Sequence, residues 1–332
     1  MKKRVLILFS IIPFIVGFSV AYFQGKPKNQ TAVFDTSNIQ PTDTIILSNN
    51  GNIYKLNKNR ASQITHNQNL IEPIALGNAI AAIKKTTNYS SLLLFDQSGN
   101  KIKTLFNGNS NNIDTMSWIT DPAVNSTQDR IAYVSDKDKV FTNVPDNALY
   151  VLNLSTGKST NIAKPDPYSG GIAHPIFDPS DKNIILYDYY QYDPKTLMPY
   201  SAIKQFDNAS GLITTLTYEN RNAYQASFSP DGKKILFLER NGDSNNVALC
   251  IADFNNNSGL SNIKTLAIGD FAYPEFSNTK WHIYFLQAQG NKGYNLLTGT
   301  VYKNGLNNIR TIVSGNTLLG NSSYSVIRNT AR

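Results

Sequence analysis

The sequence predicts an all-β chain: a six-bladed β-propeller of four-stranded antiparallel blades, preceded by an N-terminal hydrophobic helix. Three observations carry this reading. Short apolar runs separated by turns bearing Gly or Asn recur to the end of the chain with no sustained helical period. Apolar hairpins recur at Asn52 to Ile64, Leu92 to Phe106, Ala148 to Ile162, Ala202 to Leu216, Val247 to Leu266 and Leu296 to Ile312. A nineteen-residue uncharged run, Val5 to Phe23, follows Lys2, Lys3 and Arg4.

Composition agrees. The chain has 332 residues, 41% of them hydrophobic and 16% charged, which is globular. Aromatics at 11% lean toward strands, and a single cysteine excludes a disulfide framework. The net charge of +8 invites a nucleic-acid reading, but five of the 31 basic residues precede Asn29, leaving 26 against 23 acidic residues over the rest. That balance is no phosphate-binding stripe, so no nucleic-acid partner is expected.

The elements follow in order. A basic flank before an apolar run is the pattern of a signal peptide or signal-anchor, assigned to 1–23. At 1.5 Å per residue the run spans about 28 Å, enough for a hydrocarbon core of about 30 Å, and it exceeds the h-region typical of a cleaved signal. An uncleaved anchor, with the bulk of the chain outside the cytoplasm, is therefore expected; cleavage near Ala21, which would release a secreted or periplasmic form, is the alternative. Residues 24–42, polar and carrying Pro27 and Pro41, read as a linker. The propeller spans 43–332, about 48 residues per unit. Its first unit shows three strands, and the alternating segment at Ser323 to Ile327 is able to supply the missing innermost one and close the ring.

The segment Phe228-Ser229-Pro230-Asp231-Gly232-Lys233-Lys234-Ile235-Leu236-Phe237, with Asp253 beyond it, resembles the repeat of TolB-like six-bladed propellers, the PD40 or WD40-like repeat. Phe177-Asp178-Pro179-Ser180-Asp181-Lys182 is a weaker copy. Pro230 presets φ in a tight turn and Gly232 supplies its left-handed residue. The resemblance implies the fold and a habit of binding, without the additional amino-terminal domain of TolB itself.

No phosphate loop, zinc helix or nucleophile elbow is present, and no catalytic residue, metal or cofactor is expected. His174 is placed just before a first strand, near the channel mouth. Long connections at Asp136 to Asn147, Lys164 to Gly171 and Tyr189 to Pro199 fall on one face, with Thr120 to Asp129 a long exception on the other. Long loops on a rigid scaffold carry binding residues. The candidate partner-binding residues are Tyr168, His174, Tyr189, Tyr190, Tyr192, Tyr224 and Tyr273, whose rings suit docking to a protein or glycan, together with Glu72 and Glu275. The expected function is that of a membrane-tethered, non-catalytic binding module of the cell envelope. The alternative is a propeller lyase or hydrolase, which a convergence of Glu72, His174 and Glu275 would favour.

Overall fold

A computed structural model describes residues 32–66, 68–111, 115–138, 147–165, 171–192, 199–217, 221–240, 246–279, 281–290, 293–318 and 323–328. The hydrophobic segment 1–23, and with it the expected helix, lies outside them. Among the described residues no helix is long and apolar enough to cross a membrane.

Six antiparallel sheets form the ring. From the innermost strand outward, blade 1 is Tyr324–Val326, Thr44–Asn49, Asn52–Asn57 and Arg60–Gln63. Blade 2 is Leu70–Leu76, Ala79–Lys85, Ser90–Phe95 and Lys101–Asn107; blade 3 is Ile119–Val124, Arg130–Ser135, Ala148–Asn153 and Ser159–Ala163. Blade 4 is Gly171–Phe177, Ile184–Tyr192, Pro199–Asp207 and Leu212–Thr215; blade 5 is Ala223–Phe228, Lys234–Arg240, Val247–Asn255 and Gly259–Gly269. Blade 6 is Phe271–Phe276, His282–Ala288, Tyr294–Tyr302 and Gly305–Leu318, with Val33–Phe34 added as a fifth, outermost strand.

The apolar runs that announced the strands are buried on both faces. In blade 4, Ile184 and Leu186 pack toward blade 5, while Ile185, Tyr187 and Tyr189 pack toward blade 3. Strand alternation sends successive side chains to opposite faces, so each blade feeds two cores. Six clusters result, one at each joint between neighbouring blades. The turn at Pro230 to Gly232 forms as its residues dictate. Gly232 has φ +69° and its N–H donates to the Ser229 carbonyl at 2.9 Å. A Cβ at this glycine would come within 2.7 Å of the Asp178 carboxylate in the neighbouring blade's turn, so only glycine fits.

Closure follows the expected route. Tyr324–Val326 pairs with the first blade's second strand, Ile45 opposite Val326 and Leu47 opposite Tyr324. Backbone bonds from Ser48 N–H to Ser323 O and from Ile327 N–H to Thr44 O extend the seam, both at 2.8 Å. Arg328 then donates to the carbonyls of Phe276 (2.8 Å) and Phe228 (3.1 Å), stapling the carboxyl end across blades 5 and 6.

Two segments differ from the sequence reading. Residues 33–42, read within the linker, are bound to the ring. Val33 and Phe34 pair with Ser314 and Val313, Asp35 N–H donates to Ile312 O at 2.7 Å, and Ile39 is 1% exposed in the core between blades 6 and 1. The stretch carries few apolar residues, so hydropathy alone hides its docking. A chain starting at Ala32 is therefore expected to be more stable than one starting at Thr42 by roughly 2–3 kcal/mol, for Ile39 and the added strand, and so to melt higher. Equal melting temperatures would show that the segment contributes nothing. The long connection expected at Thr120 to Asp129 is instead the inner strand Ile119–Val124 followed by a tight turn, in which the Asn125 side chain accepts from the amides of Asp129 and Arg130. Asp121, at φ +51°, interrupts the alternation and masks the strand.

Candidate functional site in the channel

Five inner strands share one irregularity. Glu72, Asp121, His174, Gln225 and Tyr273 all have left-handed backbone, with φ between 48° and 52°, each at a break in the register of its strand. Four of them precede proline, which cannot donate to a ladder and suits a bulge: Pro73, Pro122, Pro175 and Pro274. Such backbone costs about 1–3 kcal/mol per non-glycine residue and persists only where the surroundings fix it.

The surroundings here are the neighbouring blades. The bulge turns each amide out of its own sheet and toward the preceding blade, where a side chain accepts it. Glu72 N–H donates to Ser323 Oγ (2.9 Å), Asp121 N–H to Glu72 Oε2 (2.5 Å) and His174 N–H to Asp121 Oδ2 (3.2 Å). Gln225 N–H donates to Asp188 Oδ2 (2.8 Å) and Tyr273 N–H to Gln225 Oε1 (2.8 Å). These bonds form a belt around the channel that joins blades 1 to 6 in sequence. The Tyr324 hydroxyl completes it by donating to the Tyr273 carbonyl at 2.5 Å.

The belt concentrates charge. His174 Nδ1 lies 2.7 Å from Asp188 Oδ2, its Nε2 lies 3.8 Å from Asp121 Oδ1, and its ring meets Tyr273 edge-on at 5.5 Å. Burial alone would lower the imidazolium, but Asp121, Asp188 and Glu72 around it raise its pKa to about 9. Burial, reinforced by Asp121, pushes the Glu72 carboxyl up to about 8, and burial pushes Asp188 upward as well. Lower in the channel Glu275 accepts the Val326 amide at 2.8 Å, and burial outweighs nearby Arg328 to raise it to about 7.

Beyond the belt opens a cavity of about 610 Å³. Its lining runs from Glu72, Asp121, His174, Gln225 and Tyr273 down to Asn125, Pro179, Pro230 and Asn278, so its mouth lies on the face of the tight turns. The sequence reading put binding on the opposite, long-loop face. Of its candidates, the structure brings Glu72, His174, Tyr273 and Glu275 together in this cavity. Tyr189 and Tyr224 are each 6% exposed and pack between blades. Tyr190 lies behind the belt, its hydroxyl 3.4 Å from Asp188 Oδ2 and its ring against the core between blades 5 and 6. Tyr168 and the Tyr192 side chain fall outside the described residues. His174, placed before a strand by sequence, is inside one.

Sequence reasoning missed Asp121, Asp188, Gln225, Ser323 and Arg328. A signal was available: the belt residues recur at separations of 49, 53, 51 and 48, close to the blade length, and mostly before proline.

Solved structures share this architecture. TolB from Acinetobacter baumannii superposes with TM-score 0.62 at 16% identity, covering 85% of this chain and 66% of that one. A TolB candidate from Agrobacterium tumefaciens gives TM-score 0.56 at 13% identity, covering 86% of this chain and 97% of that one. The chain has the TolB-like propeller fold. An oligogalacturonate lyase in complex with manganese shares it, with TM-score 0.55 at 14% identity over 77% of this chain and 69% of that one. No protein-family model matches the sequence, and no curated protein sequence matches it. The chain spans about two thirds of the A. baumannii TolB, so the likeness is one of fold. Among the described residues no three His, Cys, Asp or Glu side chains are grouped to hold a metal ion, so the residues present do not fit the manganese of that lyase.

Proposed function

We propose that this propeller is a non-catalytic binding module of the cell envelope, tethered by its N-terminal apolar segment and exposed outside the cytoplasm, which receives a protein or glycan partner through the channel mouth. The observation that carries the reading is the 610 Å³ cavity lined at its inner end by belt residues already engaged with backbone. A general acid or base must exchange protons with its substrate. Glu72, Asp121 and Asp188 each hold the amide that positions the next blade, so their first task is to keep the ring closed. Rigid rings with concave mouths are suited to docking. The basic flank and apolar run at the amino end support the tether and the exposure.

A second reading has its own support. His174 between two carboxylates is an acid–base constellation in a concave site, and an oligogalacturonate lyase shares the fold.

One set of experiments separates them. The full chain is expected to partition with membranes and to retain a defined envelope partner. Ala123→Phe, which narrows the channel, should abolish that capture while the melting temperature stays within a few degrees. Undiminished capture would move the binding surface elsewhere. Turnover of oligogalacturonate by the full chain, lost in His174→Gln, would establish the enzyme reading. A mature chain starting at Tyr22, free in the medium or periplasm, would replace the tether by a cleaved signal.

A further inference from the structure

Two residues beyond each belt position, the inner strands present a second ring to the cavity: Ile74, Ala123, Ile176, Ser227, Glu275 and Ser325. This ring is divided into unlike halves. Blades 2 to 4 contribute the aliphatic side chains, and the prolines after Glu72, Asp121 and His174 extend that wall. Blades 5, 6 and 1 contribute the two serines and Glu275.

The polar half has hydrogen-bonding capacity in reserve. The hydroxyls of Ser227 and Ser325 are buried and have no hydrogen-bond partner among the described residues. Ser227 itself is 6% exposed. Six further buried side-chain atoms elsewhere among the described residues are unpartnered as well, so what distinguishes these two is their place on either side of Glu275 in the lining of one cavity. Glu275 engages the Val326 amide through Oε2, and Arg328 directs its guanidinium to main-chain carbonyls of blades 5 and 6. A carboxylate has about four acceptor positions, so one amide leaves Glu275 able to take a further donor.

An extended peptide sends alternate side chains in opposite directions, and a cavity with one aliphatic and one acceptor-bearing wall matches that alternation. We propose that the channel takes an extended amphipathic peptide segment, its apolar side chains against Ile74, Ala123 and Ile176, and a lysine, arginine or amino-terminal ammonium on Glu275 between Ser227 and Ser325. This inference rests on the reading of the chain as a binding module. Aliphatic ring positions favour branched apolar side chains over a sugar ring, which makes a glycan the competing occupant.

The test pans a random dodecapeptide library on the full chain and screens an oligosaccharide array beside it. The enriched peptides are expected to alternate apolar residues with Lys or Arg and to lose on the order of tenfold or more in affinity on Glu275→Gln, with the melting temperature retained. Ile176→Asp should weaken the same peptides through the opposite wall; Ala123→Asp serves if that variant fails to fold. Peptides without basic residues, or peptides whose affinity is unchanged by Glu275→Gln, would overturn the inference while leaving a peptide-binding module. Binding of oligosaccharides alone would overturn it in favour of a glycan-binding module. Failure of both arms would remove the binding-module reading and the inference with it.

Discussion

Removing residues 321–332 is expected to lower the melting temperature of the whole ring by ten degrees or more, as the loss of a single inner strand that serves two blades. Tyr324 and Val326 are each 5% exposed in the core between blades 6 and 1, so the truncation uncovers that joint. Their burial contributes roughly 3–5 kcal/mol. The strand bonds to Ile45 and Leu47 and the Arg328 staple are lost as well. Opening the ring also exposes two sheet edges, which invites association between copies. The expected result is a lower, concentration-dependent transition. An unchanged melting temperature would mean that the ring is not closed through its carboxyl end.

The second large effect is on pH. The folded pKa of Glu72 is raised from 4.5 to about 8, that of Glu275 from 4.5 to about 7, and that of His174 from 6.5 to about 9. All three bind protons more tightly in the folded chain. The stability they contribute is therefore fully present below the unfolded values and is lost as pH rises through the folded ones. The window runs from about pH 5 to pH 9. At about 1.4 kcal/mol per pH unit for one group, the fall amounts to several kcal/mol for Glu72 alone, with Glu275 and His174 adding to it. Asp96, Asp129 and Asp207 have lowered values and act in the opposite sense, but their stability is lost only as pH falls into the acid range below this window. Melts across the pH range should show a steady decline toward alkaline pH, and Glu72→Gln should make it shallower, since of the three only Glu275 and His174 still titrate, while the amide oxygen keeps the bond from the Asp121 N–H. A flat profile in the parent chain would show that these groups titrate alike in the folded and unfolded states.

The parts of the fold written in short-range chemistry were legible in sequence. Hairpin turns at Pro230 to Gly232, alternating apolar runs and a spare strand at Ser323 to Ile327 are each fixed by neighbours along the chain, and each led to the right element. The belt is different in kind. Its five bulge residues are chemically unlike, and what unites them is a left-handed backbone and a contact about fifty residues away. Only the proline after four of them betrays the repeat. Loop length pointed to a different surface. Long connections marked one face, and most of their residues lie outside the described ones, whereas the cavity is lined by inner strands and short turns. Tyr189 and Tyr224 looked like docking rings because strand tyrosines in a core and tyrosines on a surface have the same sequence context.

Entry of the partner by the tight-turn mouth can be read out by site-specific photo-cross-linking of the full chain in intact cells. The probe residue replaces Ser126, exposed at the cavity mouth, or Asn88, exposed on the opposite face between the second and third strands of blade 2. A discrete cross-linked partner is expected from Ser126 and none from Asn88. A partner captured at Asn88 and absent at Ser126 would contradict it.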